Sequence, residues 1–350
     1  IIVELSNQGT NVLTNATINW SVNDVLQTPY VWSGSIAYNS SSNVTIASNY
    51  TLSGSNIFDI SAWVDNVNGL PDCNNYNDTA KISDLVSQLC GTYTIGGSNP
   101  DFADFAEAAT VLNNAGITCP VVFSVRDGIY DGQVLLSNIV GNSFTNSISF
   151  IGESGDSSLV TLRYNTNNNV LDYALKLENV KGVNFRDIGI ERGSNNIKVY
   201  IDNCDSIYFK SIANPSNGWE SFRLDACNKV MFSTCGLSSV NFTGINDSIY
   251  FFDNTISSIG SSNSTLNEFS FIGNTVGSLN INDYSSIITN GLFRSNNVGP
   301  IELMCSNSSS NILVDSNTIT GDISIANPIN LSFLSNTVSA SSAYFDMLNN

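Results

Sequence analysis

Four ionisable side chains gather around two short runs, "NFRDIGIERG" and "IYFKSI". They are Arg186, Asp187 and Glu191 in the first and Lys210 in the second. Arg186 and Lys210 each follow a Phe. In an alternating strand a residue after an inward Phe faces outward, so the two cations should stack on neighbouring segments beside the two carboxylates. A basic side chain next to acidic ones is what β-elimination of a polyuronide requires, with the base removing the proton beside a uronate carboxylate and a hard cation such as Ca2+ holding that carboxylate. A charge ladder that balances an acidic chain would use the same residues, since nine of the twelve basic residues lie between Arg163 and Lys229.

Other chemistry is thin. The chain has no His and no CxxC spacing, so a zinc site would need scattered thiolates. One loop, "ISAWVDNVNGLPDCNNYNDTA", brings oxygen ligands together at Asp65, Asp72, Asn74, Asn75, Asn77 and Asp78. Asp65, Asp72 and Asp78 are the metal candidates there, and Ca2+ is the ion they would suit. An Asx-rich turn accounts for the same residues, and no other cofactor is expected. Of seven cysteines, Cys90 and Cys119 bracket one helical segment and are expected to form a disulfide. Cys204 and Cys227 occupy the same slot of "DNCDSIYF" and "DACNKVMF", as two buried thiols would. The sequence leaves the connectivity of Cys73, Cys204, Cys227, Cys235 and Cys305 open.

The elements that must position these residues repeat. Asp187, Ser211, Thr234, Asn254, Asn274, Asn296, Asn317 and Asn336 recur about every 21 residues, a solenoid period. Within each unit short apolar runs such as Leu266, Phe269, Phe271, Val276, Leu279 and Ile281 alternate with Asn, Gly and Ser, and helical periodicity is absent. This reads as a right-handed parallel β-helix of three short strands per coil over residues 118–350. Asn254, Asn274, Asn296, Asn317 and Asn336 are expected to stack as a structural ladder at a bend. Before it, residues 1–88 alternate in longer strands as an antiparallel sandwich with Trp20, Trp32 and Trp63 in its core. Residues 89–117 are a linker and a capping helix. Asn99 is its expected N-cap, Pro100 its first residue, Phe102, Phe105, Ala109 and Leu112 its buried face, and Gly116 its stop. Thr255, Thr275 and Thr318 look too interrupted for a regular hydroxyl array on one face.

The balance of −18, with only 12% charged residues, argues against nucleic acid. No apolar run approaches 18 residues, so no membrane insertion is expected. The opening "IIVELSNQG" lacks the features of a signal peptide and starts as if inside a strand, as a piece of a longer chain with further domains would.

Two resemblances sharpen this. "ELSNQGTNVLTNATINWSVND" and "ISAWVDNVNGLPDCNNYNDTA" resemble the bacterial adhesion-related Ig-like module called CARDB, over about 80 residues. The stretch "GTYTIGGSNPDFADFAEAATVLNNAGITCPVVFSVRDGIYDGQVLL" is similar to the opening of pectinesterase-type β-helices, with Phe123, Val125, Gly128 and Tyr130 in the strand. It is closer still to the start of β-helix regions in large surface proteins exported by the type IX pathway of Bacteroidota. The Gln-Asp runs of pectinesterases and the His-containing motif of polygalacturonases are absent. These resemblances imply an extracellular, cell-surface, non-catalytic adhesive or filament-forming segment, with other surface proteins, glycans or abiotic surfaces as partners. A pectate-lyase-like, polysaccharide-acting β-helix is the alternative. The type IX likeness also implies O-glycosylation at Asp-Ser/Thr-apolar sites, here Thr79, Ser206 and Ser248, each expected at a turn or strand start where a sugar projects into water.

Overall fold

The computed structural model describes residues 1–50, 57–72, 76–164, 173–192, 199–213, 222–281, 286–304, 309–326 and 329–346. Contacts divide the chain into two units, Ile1–Ser87 and Gln88–Asn350.

The first unit is antiparallel. Strands β1 (Ile2–Asn7) and β5 (Ser40–Thr45) pair in one sheet. In the other, β2 (Leu13–Val22) is central and pairs with β3 (Val25–Leu26), β4 (Tyr30–Ile36) and β6 (Ile57–Asp65), and β6 pairs with β7 (Thr79–Val86). Alternation along β2 puts Leu13, Ala16, Ile18 and Trp20 into a core with Leu5 of β1, Val44 of β5 and Phe58 of β6, so the sheets form a sandwich. Of the three tryptophans expected inside, only Trp20 is fully buried. Trp32 packs at the edge of the core with its ring over Gly34, and Trp63 is half-buried.

The second unit is a right-handed parallel β-helix. It starts with β8 (Leu89–Ile95), then α1 (Phe105–Ala115), then β9 (Ile117–Val125), which pairs parallel with β8. Each later coil adds short strands in register with the coil before. One inward column runs Tyr93, Phe123, Phe150, Phe185, Phe209, Phe232, Phe251, Phe271, Phe293, Val314 and Phe333. From Phe123 to Phe251 neighbouring rings stack with centroids 4.7–5.6 Å apart, close to the rung spacing of ~4.8 Å. One rung sets the ring of the next.

The helix begins later than its sequence suggests. Asn99 lies at φ 47, outside the conformation of an N-cap, and Asp104 caps instead, its carboxylate accepting from the Glu107 N–H at 2.9 Å. Glu107 reaches back to the Ala103 N–H at 2.6 Å, reciprocating the cap. The stretch before it bends because Asp101 Oδ2 accepts from both the N–H and the hydroxyl of Thr94. Phe102, Phe105, Ala109 and Leu112 are all buried, Phe102 in a bridge to Ile95 ahead of the helix. Asn113 then treats the edge of strand Val134–Ser137 as a neighbouring strand would: its amide donates to Leu135 O at 2.7 Å and accepts from the Ser137 N–H at 2.9 Å. An edge that would otherwise be open is thus satisfied by one side chain.

Candidate functional site

The stacked side chains that face outward define what the β-helix can do. Strands Leu175–Glu178, Val199–Asp202 and Phe222–Asp225 lie in register. Their sequences, "LKLE", "VYID" and "FRLD", each place two residues inward, one outward mid-strand and an acid at the end. Lys176, Tyr200 and Arg223 therefore form one outward column, and Glu178, Asp202 and Asp225 the column beside it. Ser137 and Thr243 extend the acidic column on either side. All six central side chains are half-buried.

Their electrostatics differ from rung to rung. Lys176 Nζ lies 2.8 Å from Glu178 Oε1 and 5.5 Å from the centroid of the Tyr200 ring. The hydrogen bond from Lys176 holds the Glu178 carboxyl below its usual range, and Glu178 in turn raises the Lys176 ammonium. Asp202 moves the other way: burial, then the charge of Asp225, push its carboxyl up. Burial also raises the Tyr200 phenol, with Asp202 and Asp225 adding to it. A carboxyl biased toward its protonated form, one rung of ~4.8 Å from a second carboxylate, is an acid/base pair in outline.

The residues singled out by sequence are only partly brought together. Arg186 and Lys210 are outward neighbours on adjacent rungs, as expected. Asp187 sits at the following bend with its Oδ2 2.9 Å from Arg186 Nε, so the nearest cation is already neutralised. Glu191 belongs to a different sheet, in register with Arg163, because the chain turns a corner at Asp187 and Ile188. The elimination site proposed from the four residues is therefore divided between two faces. Arg163 itself is held by Asp131, at 2.7 and 2.9 Å.

Asp65, Asp72 and Asp78 do approach one another: burial, then Asp72, then Asp65 raise the Asp78 carboxyl. Among the described residues no group of three or more metal-ligating side chains forms a metal site. Cys73, Asn74, Asn75 and Cys305 lie outside the described residues. A shallow cavity of about 510 Å3 is lined by Gly97, Ser98, Arg126, Asp127, Glu153 and Ser154. Arg126 is committed there, with Nη1 donating to Gly96 O at 2.9 Å and Ser98 O at 2.7 Å.

The asparagine ladder runs through Asn254, Asn274, Asn296, Asn317 and Asn336. Each Oδ1 from Asn274 onward accepts from the backbone N–H and the Nδ2 of the preceding Asn, at 2.8–3.1 Å. The earlier positions need correction by one residue. Asp187, Ser211 and Thr234 align with Asp253, Gly273, Ser295, Ser316 and Ser335, all at positive φ, while the ladder slot holds Ile188, Ile212 and Cys235. A left-handed residue followed by the ladder residue is thus the true unit, and Cys235 receives Asn254 Oδ1 on its N–H at 2.8 Å. Two exposed ladders escaped the sequence reading: Asn330 to Asn311 to Asn290, at 3.2 and 3.0 Å, and Asn203 to Asn179, at 2.6 Å.

Cys90 and Cys119 are bonded, with Cα atoms 4.9 Å apart, joining β8 to β9 around the loop that holds α1. Cys204, Cys227 and Cys235 are buried thiols whose pKa values burial pushes up to about 11, 12 and 11. Of the three hydroxyls proposed for glycans, Thr79 is exposed at the start of β7. Ser206 is half-buried at φ 59 and donates to Asp205. Ser248 contradicts its expectation: it is 7% exposed and donates to Glu268 Oε2 at 3.1 Å, the carboxylate of the next rung holding it between the exposed Lys229 and Glu268.

No family model matches the chain, and no curated protein does. Solved structures similar to it include pectin methylesterase PemA from Erwinia chrysanthemi, at TM-score 0.33 and 11% identity over 64% of this chain and 78% of that one. The catalytic domain of a GH87 alpha-1,3-glucanase in complex with nigerose has TM-score 0.33 and 9% identity, over 98% of this chain and 88% of that one. A family 28 exopolygalacturonase of Yersinia enterocolitica has TM-score 0.29 and 8% identity, over 99% and 96%.

Proposed function

We propose that the β-helix acts on polysaccharide at the lane formed by Glu178, Asp202 and Asp225 beside Lys176, Tyr200 and Arg223. The observation that carries this reading is the in-register stack of carboxyls in which burial and Asp225 raise Asp202. Asp202 is the general acid that protonates the leaving oxygen. Asp225, one rung away, attacks the anomeric carbon as the glycosidic bond breaks, and the glycosyl ester formed is then cleaved by water that the Asp202 carboxylate deprotonates; a separation near 5 Å suits a nucleophilic partner better than a water-activating base. Tyr200 offers a ring to a sugar face, and Lys176 and Arg223 donate to its hydroxyls or carboxylates. Hydrolysis replaces elimination in this reading because Arg186 is paired with Asp187 and Glu191 faces another way.

The test is release of reducing ends from neutral and acidic polysaccharides, with unsaturated products followed in parallel. Asp202→Asn should lower the rate about 100-fold or more, and the activity of the parent should fall as pH rises through the raised Asp202 value. Absence of cleavage across the panel, or an unchanged Asp202→Asn enzyme, removes the proposal.

A second reading keeps the chain as a secreted, cell-surface adhesive segment that is not catalytic. It is favoured by how many polar groups serve the scaffold itself, in the buried and exposed Asn ladders, and by the Cys90–Cys119 bond, which suits an oxidising compartment. Retention of cells or beads on a surface coated with the chain, with no cleavage of any glycan, would select it.

A further inference from the structure

A face away from the acidic lane carries a different pattern. Thr255, Thr275, Asn297, Thr318 and Thr337 are partners in successive parallel pairings, so residues that look interrupted in sequence form one column in which only Asn297 is not Thr. All five are exposed. The residue after each of the first four, Ile256, Val276, Val298 and Ile319, is no more than 3% exposed and anchors the strand on the core. Two positions along, a second column reads Ser257, Gly277, Gly299, Thr320 and Ser339. It is kept low by close backbone approach, since a Cβ on Gly299 would lie 2.0 Å from Gly277 O.

Three properties of this face restrict its partner. The ten positions of these two columns hold no charged residue, although the chain as a whole carries −18. The hydroxyls of Thr255, Thr275, Thr318 and Thr337 make no hydrogen bond within the chain among the described residues. Their positions repeat along one column at multiples of the rung spacing of ~4.8 Å, the low second column lies ~6.8 Å to the side, and Thr in a strand has little χ1 freedom. A row of free Thr hydroxyls and methyls beside a low, uncharged Ser/Gly column matches an uncharged solid whose own hydrogen-bonding groups repeat on a similar spacing. A crystalline glycan presents C–H faces that aromatic rings take up, and neither column contains an aromatic residue. We propose that this face binds ice, ordering water in the trough between its Thr column and the low Ser/Gly column into register with the crystal lattice.

The test uses the whole chain. Thermal hysteresis, crystal shaping and inhibition of ice recrystallisation are measured for the parent, for Thr275→Lys with Thr318→Lys, for Asn280→Lys, and for Asn297→Thr. Asn280 is exposed on the same strand, Thr275–Ile281, beyond the two columns. The parent and Asn280→Lys should shape ice, the double Lys variant should lose the effect, and Asn297→Thr, which completes the column, should raise hysteresis. No ice activity in the parent overturns the proposal. So does activity that survives the two lysines, or binding to insoluble cellulose or chitin without ice shaping. Should the double Lys variant fail to fold, Asn297→Thr decides: a gain supports the proposal, and an unchanged or smaller hysteresis overturns it.

Discussion

Asn274 shows how much one side chain carries in a β-helix. Its Oδ1 accepts twice from Asn254, and its Nδ2 donates to Phe251 O and Ile272 O at 3.1 Å as well as to Asn296. Truncation leaves the buried N–H of Asn254 without an acceptor and its amide with Phe232 O alone. Asn274→Ala should therefore cost ~3 kcal/mol in urea unfolding, whereas Asn336→Ala, at a half-buried rung, should cost clearly less. The buried thiols are sensitive in another way. Cys227 ionises at about 12 in the folded chain against 9.0 for an ordinary thiol. The folded chain keeps this proton at pH values where the unfolded chain has lost it, so stability falls as pH rises from about 9 to about 12. Unfolding measured across that window should decline less steeply for Cys227→Ala than for the parent.

Between residues and coils stands the opening segment, where β8, α1 and β9 close the start of the β-helix. Its hold on the rest depends on two devices, the Asn113 amide on the edge of Val134–Ser137 and the Cys90–Cys119 bond across a separation of 29 residues. Reduction of the bond should lower stability by ~3 kcal/mol, in the chain-entropy account, with the far coils still protected in hydrogen exchange. Asn113→Ala should expose the amide of Ser137 to exchange and cost ~1–2 kcal/mol, since a part-buried donor and a carbonyl lose their partner together. In the middle of the stack, Phe209 touches rings on both sides, Phe185 and Phe232, as well as Phe222. Phe209→Ala should cost ~4 kcal/mol, as an inner rung cannot collapse around the void.

For the chain as a whole, charge sets behaviour in solution more than it sets the fold. A balance of −18 and a pI near 4.1 place the solubility minimum close to pH 4, where nephelometry should find association that the net negative charge prevents at neutral pH. Three of the cations, Arg163, Lys176 and Arg186, are paired along one part of the β-helix, with Asp131, Glu178 and Asp187. The Thr column carries no charge, and the Glu178, Asp202 and Asp225 lane is where burial and like charge coincide on the β-helix, as they do at Asp78 in the first unit.

Much of this architecture was legible in order of residues alone. A period near 21, inward aromatic residues and recurrent Asn specify a parallel β-helix, because each coil must repeat the inward volume and the bend chemistry of the last. The divided lyase cluster, the one-residue shift at Asp187, Ser211 and Thr234, the acids that end "LKLE", "VYID" and "FRLD", and the Thr column were decided only by tertiary structure. In a coil of variable length, side chains twenty or more residues apart become neighbours through inter-strand register. Register is set by which residue takes the left-handed bend, and Asp, Ser, Thr and Gly all take it here, so no single residue type marks it in the sequence.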